Sequence, residues 1–347
     1  MVCSPCLRRS AVLAAAAPAL ARFASRPQLL LSVLALPSER LLRAARVEDP
    51  PGVLRRLQLP VLTDRVPTAL CRHDPGYPRA LRELPSAPSV LYATCTPGRL
   101  RELLSPAAPT VAIVGSRGLT PYAEDITRTL SGDLARAGVT VVSSVNEGPD
   151  GIAHEAALDG SGRTIAVMAC SPDLSHLTRQ DDLHQRILAD GTAISEFPPG
   201  FFEHQRWCFS ASRRIIAALA DVIVIVEAGG FSSAVLTTHF ATELGRDIAI
   251  VPGRVTEPGG DTMLWLLQDG AHPVASAQDV LEVIHGAGAR GPALHDPTPH
   301  ELADDPTMSG PVLHDPAPRE LADAAGVPGP AMRGPTISEP ALHEVAA

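Results

Sequence analysis

In the stretch VAIVGSRGLTPY (residues 111–122), an apolar run stops at Gly115, gives way to Ser116, Arg117 and Gly118, and passes into a helical pattern. A strand that ends at glycine and feeds a helix often holds phosphate, because unpaired backbone N–H groups and the positive helix end converge there. The same residues can also do no more than turn the chain.

Other strand-like runs end in similar residues. VTVVS leads into Ser143, Ser144, Glu147, Gly148, Asp150 and His154; TAIS leads into Glu196; VIVIVE ends in Glu227, followed by Gly229, Gly230, Ser232 and Ser233. Each has a plain structural alternative. Asp150 and His154 are four apart and can pair on one helical face. Ser232 can cap the helix that follows it, and Glu227 can cap a neighbouring helix rather than meet a ligand. There is no Gly-x-Ser-x-Gly elbow, no G-x-G-x-x-G after the first strand and, since all 29 basic residues are arginine, no phosphate-binding lysine. No catalytic residue and no cofactor is expected, and binding is favoured over catalysis.

These positions need a frame that gathers them. Apolar runs at 111–115, 139–143, 164–168, 192–195, 222–227 and 248–252 alternate with helical stretches near 121–137, 151–158, 181–190, 211–220, 233–245 and 261–269. Continuous β-branched strands alternating with helices indicate a parallel sheet buried on both faces, here an α/β, doubly wound, Rossmann-like domain over 73–285. In that architecture ligands sit outside the carboxyl ends of the strands, so one crevice would collect all the residues above. Residues 1–72 read as short helices broken at Pro37, Pro50, Pro51 and Pro60, a small helical domain. Residues 286–347 are acidic and rich in proline, with a near-repeat, LHDPTPHELAD (294–304) and LHDPAPRELAD (313–323), and are expected to be disordered.

Charge is segregated along the 347 residues: +7 over 1–72, −10 over 73–285 and −6 over 286–347. The central region cannot be a broad basic glove for nucleic acid; a polyanion site there must be a local pocket. Six scattered cysteines read as reduced thiols of a cytoplasmic protein. Cys3 and Cys6 make one Cys-x-x-Cys with no second pair nearby, and since a structural zinc takes four ligands, no metal is expected. The basic and apolar start mimics a secretory signal, but the pattern continues into an arginine-rich amphipathic stretch, so no export and no membrane span are expected.

Beyond these motifs, DPGYPRALRELPSAPSVLYA (74–93), GPDGIAHEAAL (148–158), SEFPPG (195–200), RRIIAALAD (213–221), VIVIVEAGGFSSAVLTTHFATELGRDIAIVPG (222–253) and LLQDGAHPV (266–274) occur in the order found in the DNA-processing protein A (DprA, or Smf) family, which the chain resembles from 74 to 274. The resemblance implies a Rossmann-like domain, often preceded by a helical one, that binds single-stranded DNA, forms homodimers and loads a RecA-type recombinase during DNA uptake, natural transformation and recombination, without established catalysis. It places Gly115, Ser116 and Arg117 on the DNA phosphates, sets Arg214 at the second arginine of an Arg-Asn-Arg motif, with Arg213 as an additional guanidinium, and matches Glu227, Ser232 and Thr237 to further family elements. Departures accompany it. SSVNEGPD (143–150) stands where the family has Ser-Gly-x-Ala-x-Gly-Ile-Asp, bringing the negative Glu147; Ser212 replaces the first arginine; DLSHL (173–177) replaces a tyrosine-bearing motif; and the acidic tail stands where many members have a winged helix. The alternatives are a phosphoribohydrolase-like nucleotide protein with Glu227 as its carboxylate, and a degenerate, interaction-only paralogue.

Overall fold

The structure is a computed structural model that describes residues 2–286, apart from 106, 175–180, 203–205, 230–231, 258 and the side chain at 233. The tail expected to be disordered lies, except for Gly286, outside the described residues.

Among the described residues nine strands form one sheet: β1 Thr68–Cys71, β2 Val90–Ala93, β3 Thr110–Val114, β4 Thr140–Ser143, β5 Arg163–Val167, β6 Thr192–Ser195, β7 Val222–Ile225, β8 Asp247–Ile250 and β9 His272–Pro273. Their spatial order is β1-β2-β6-β5-β4-β3-β7-β8-β9. All neighbours from β6 to β9 are parallel, whereas β1 pairs antiparallel with β2 and β2 antiparallel with β6. The six expected strands form the parallel centre. β1, β2 and β9 extend it at both edges.

The α-helices among the described residues are α1 Ser4–Leu20, α2 Pro27–Ala35, α3 Ser38–Ala44, α4 Pro50–Arg56, α5 Arg79–Arg82, α6 Pro97–Leu103, α7 Pro121–Arg136, α8 Pro149–Asp159, α9 Asp181–Asp190, α10 Arg206–Leu219, α11 Ser233–Glu243, α12 Gly260–Gln268 and α13 Ala277–Ile284. Local chemistry sets several starts: Thr120 accepts from the Ala123 amide ahead of Pro121 at the head of α7, and Ser276 with Asp279 forms a capping box on α13.

The strands read as unbroken apolar runs because successive residues serve two cores. Ala112 and Val114 of β3 pack with Ile223, Ile225 and Ile216 on one face, and Val111 and Ile113 pack with Leu130, Leu134 and Val224 on the other. Residues 1–72 are helical to Arg56, but they do not stand apart. Strand β1 already belongs to the sheet, five residues before the expected start of the Rossmann-like region. Leu20, Leu30 and Leu41 also share a core with Phe197, Trp207 and Ala211, and the Trp207 indole N–H donates to the Ala17 carbonyl over 3.0 Å. Among the described residues no helix is long and apolar enough to cross a membrane.

Candidate nucleic-acid interface

The parallel strands run β6-β5-β4-β3 in one direction from β3 and β7-β8-β9 in the other, so the order reverses between β3 and β7. At such a reversal the connections leave on opposite faces and open a crevice at the carboxyl ends of the two strands. Gly115–Gly118 continues β3 into that crevice, and Val226–Gly229 continues β7 into it.

The two loops are laced together. The Ser116 amide donates to the Glu227 carbonyl over 2.7 Å, and the Gly229 amide donates to the Ser116 hydroxyl over 3.0 Å. Gly115 permits this approach: a Cβ there would lie 2.6 Å from Pro149 Cγ and 2.8 Å from the Glu227 carbonyl oxygen. Gly148 supports the loop from the other side. Its φ of +97° is closed to most side chains, and a Cβ on it would meet the Ser116 carbonyl oxygen at 2.8 Å and Arg117 Cα at 3.1 Å. Arg117 itself is exposed and makes no ion pair among the described residues. Glu147, also exposed, lies on the same rim one residue before Gly148.

A cleft of about 560 Å³ opens beside this loop, between the start of α7, Glu227 and the segment from Pro252 to Gly260. Tyr122 lines it, 53% exposed, with its hydroxyl donating to the Pro252 carbonyl over 3.0 Å. That bond fixes an aromatic ring at the mouth. Glu227 does not offer its carboxylate to the cleft as a free base: Oε2 accepts from the Thr120 amide (3.1 Å) and hydroxyl (3.2 Å). The carboxylate thereby occupies the positive end of α7, so the helix-capping alternative holds for Glu227.

The other expected residues lie beneath the surface. Ser143 donates to the Ile113 carbonyl over 2.6 Å, tying β4 to β3. Asp150 is buried at the first turn of α8, accepts from the Ser144 hydroxyl, and pairs with Arg213 over 2.9 Å, both side chains being 3% exposed or less. Arg214 is 1% exposed and forked onto Glu196, Nη1–Oε1 2.6 Å and Nη2–Oε2 2.7 Å. Its remaining N–H groups donate to the carbonyls of Ser86 and Ala211, so all five donors are used. Neither arginine presents a guanidinium to the crevice. Both are drawn inward by carboxylates, and the direct phosphate contact expected of Arg213 and Arg214 is replaced by a bracing role. Thr237 is fully buried on α11, and Ser232 holds the capping position of α11 without making a side-chain cap bond.

His154 is buried against Thr164, Nδ1 to Oγ1 2.6 Å, rather than paired with Asp150. Burial pushes its imidazole down from 6.5 to about 4, with the Asp150 charge opposing the shift. In the window between these values the unfolded chain takes up a proton that the folded chain refuses. The stability His154 contributes is therefore complete above pH 6.5 and is lost as pH falls toward 4, by up to about 3 kcal/mol. Urea unfolding at pH 7 and pH 5 is expected to show a lower midpoint at pH 5, and His154→Gln to narrow the difference; equal narrowing by a surface histidine variant such as His285→Gln would contradict the assignment.

The sequence shows Tyr122 after Pro121 but not its exposure, and shows Glu196 at the end of a strand but not its pairing with Arg214.

The family model for DNA recombination-mediator protein A matches residues 68–285, starting with β1 and ending just after α13. Protein Smf of Synechocystis is 37% identical over 216 residues, 62% of this chain and 53% of that protein; a putative DNA processing protein DprA of Mycobacterium tuberculosis is 40% identical over 202 residues, 58% and 51% respectively. The chain thus spans about half the length of these two relatives. Among solved structures, DprA of Streptococcus pneumoniae superposes with a TM-score of 0.58 at 29% identity, covering 71% of this chain and 81% of that one. The DNA processing protein A of Helicobacter pylori, described for its single-stranded DNA binding mode, gives 0.52 at 29% identity, covering 60% and 93%. The match spans the entire sheet and both loops of the β3–β7 crevice, and on that ground the chain belongs to the DNA recombination-mediator protein A family.

Proposed function

We propose that the chain is a recombination mediator that binds single-stranded DNA across the β3–β7 crevice. Arg117 grips the phosphates from the loop that Gly115 and Ser116 hold in place, and a base stacks on Tyr122 at the mouth of the cleft. The observation that carries this reading is the exposed Arg117, without an ion pair among the described residues, on a loop held by Gly148 and by the β7 loop beside an open cleft. The exposed ring suits single strands: an aromatic face accepts any base, whereas a duplex hides its base faces.

The role is one of binding rather than catalysis. Glu227, the carboxylate a nucleotide hydrolase would use, is engaged by Thr120. By family resemblance the protein acts in the cytoplasm as a homodimer and passes its strand to a RecA-type recombinase; the exposed Leu264 and Trp265 of α12 offer apolar surface to a second copy.

Photo-crosslinking tests the location. A single strand carrying a photoreactive thymine analogue is expected to attach within residues 115–122, with Tyr122 as the principal adduct by peptide mass spectrometry. Crosslinks confined to residues 1–72 would overturn the reading and place the DNA on the basic helical region instead.

A further inference from the structure

The Cys-x-x-Cys of the first helical turn has partners that its spacing hid. Cys3, Cys6, Cys71 and His73 each turn one ligand atom toward a common point, and these four atoms lie within 4.8 Å of one another. Nδ1 of His73 is 3.4 Å from both Cys3 Sγ and Cys6 Sγ, and Cys71 Sγ is 4.0 Å from Cys3 Sγ. We propose that these residues form a structural zinc site that fastens α1 to the end of β1.

The distances fit one tetrahedral ion. Zinc bonds of about 2.3 Å to sulfur and about 2.0 Å to imidazole nitrogen set tetrahedral edges of about 3.8 Å between sulfurs and about 3.5 Å between sulfur and nitrogen. At 4.0 Å, Cys3 and Cys71 are not disulfide-bonded, and all six cysteines of the chain are free thiols. Three sulfurs and an imidazole are a borderline-soft set that favours zinc over magnesium or calcium.

The chain is already shaped for it. Cys3 begins α1, and its carbonyl accepts from the Cys6 amide at 3.1 Å and the Leu7 amide at 3.2 Å, which folds the Cys-x-x-Cys into one turn. Cys71 closes β1, and the chain turns back there with the Asp74 amide on the Cys71 carbonyl at 2.7 Å, bringing His73 round. Cys6 and Cys71 are buried beside Val66, Val90 and Tyr92, while His73 is exposed and leaves the ion a way in.

The site lies five strands along the sheet from β3, about 24 Å at 4.8 Å per strand, so its part is to hold the helical region and not to touch the DNA crevice. It joins segments some 65 residues apart, where a bound ion adds most to folding because the unfolded chain rarely presents all four ligands together.

The full chain, produced without a histidine tag under reducing conditions in zinc-supplemented cells, is expected to carry about one zinc per chain by elemental analysis. Exchange into cobalt is expected to give the thiolate charge-transfer and tetrahedral ligand-field bands. Cys3→Ser, at the accessible end of the cluster, is expected to lose the metal, and Cys95→Ser, outside it, to retain it. Folded wild-type protein that holds no zinc and develops no cobalt bands would overturn the proposal, as would a disulfide within the cluster under the same conditions. Since the cobalt spectrum is read on wild-type protein, a variant that fails to fold does not remove the test.

Discussion

Arg214→Ala is expected to lower folding stability by about 3–5 kcal/mol, because it strands the Glu196 carboxylate in the interior without its counter-charge. The pair is 1% and 4% exposed, and the guanidinium also donates to the Ser86 and Ala211 carbonyls, so one deletion removes a donor from both Glu196 oxygens and from both carbonyls. Arg214→Lys is expected to rescue little, since an ammonium cannot reproduce the fork. Removing both charges, as Arg214→Met with Glu196→Leu, is expected to recover most of the loss, since a buried pair replaced by apolar side chains is often close to neutral. Urea denaturation checks this through a lowered midpoint at unchanged slope. If Arg214 gripped DNA directly, its loss would instead leave stability intact and abolish binding.

Arg117→Ala should show the complementary pattern. The side chain is exposed, so its loss is expected to change stability by no more than about 0.5 kcal/mol. The proposed contact with phosphate is a charge-assisted hydrogen bond worth about 1.5–3 kcal/mol, so affinity for single strands is expected to fall roughly ten- to hundred-fold. The slope of log affinity against log salt should become shallower by about 0.7 for each phosphate that is no longer neutralised, the single-strand value. Glu147 is exposed on the same rim, and with the strand placed as proposed its charge repels phosphate, so Glu147→Gln is expected to move affinity the other way.

The parallel centre of the fold was legible because strands buried on both faces leave long β-branched runs, as in VAIVG and VIVIV, and helices between them carry clear starts such as Thr120-Pro121. The outer strands were not. TALC and VLYA are four residues each and lie among turns and prolines, so nothing in their pattern separates a strand from a loop. That the Gly-Ser-Arg loop sits at a carboxyl end of the sheet could be read, whereas its place at the reversal between β3 and β7 came with the strand order. The fates of Arg213 and Arg214 could not: a guanidinium is held inside or outside by its partner, and Glu196 and Asp150 come from other elements. The same holds for Cys71 and His73, whose Cys-x-His spacing matches no common metal pattern and which reach Cys3 and Cys6 only once β1 joins the sheet.

The central claim, that Arg117 at the β3–β7 crevice holds the backbone of a single strand, is tested most directly by titrating a labelled oligonucleotide with wild-type protein and Arg117→Ala at two salt concentrations. Tight, salt-sensitive binding is expected of the wild type, and weaker binding with a shallower salt dependence of the variant. Equal binding by both proteins, with the same response to salt, would contradict it.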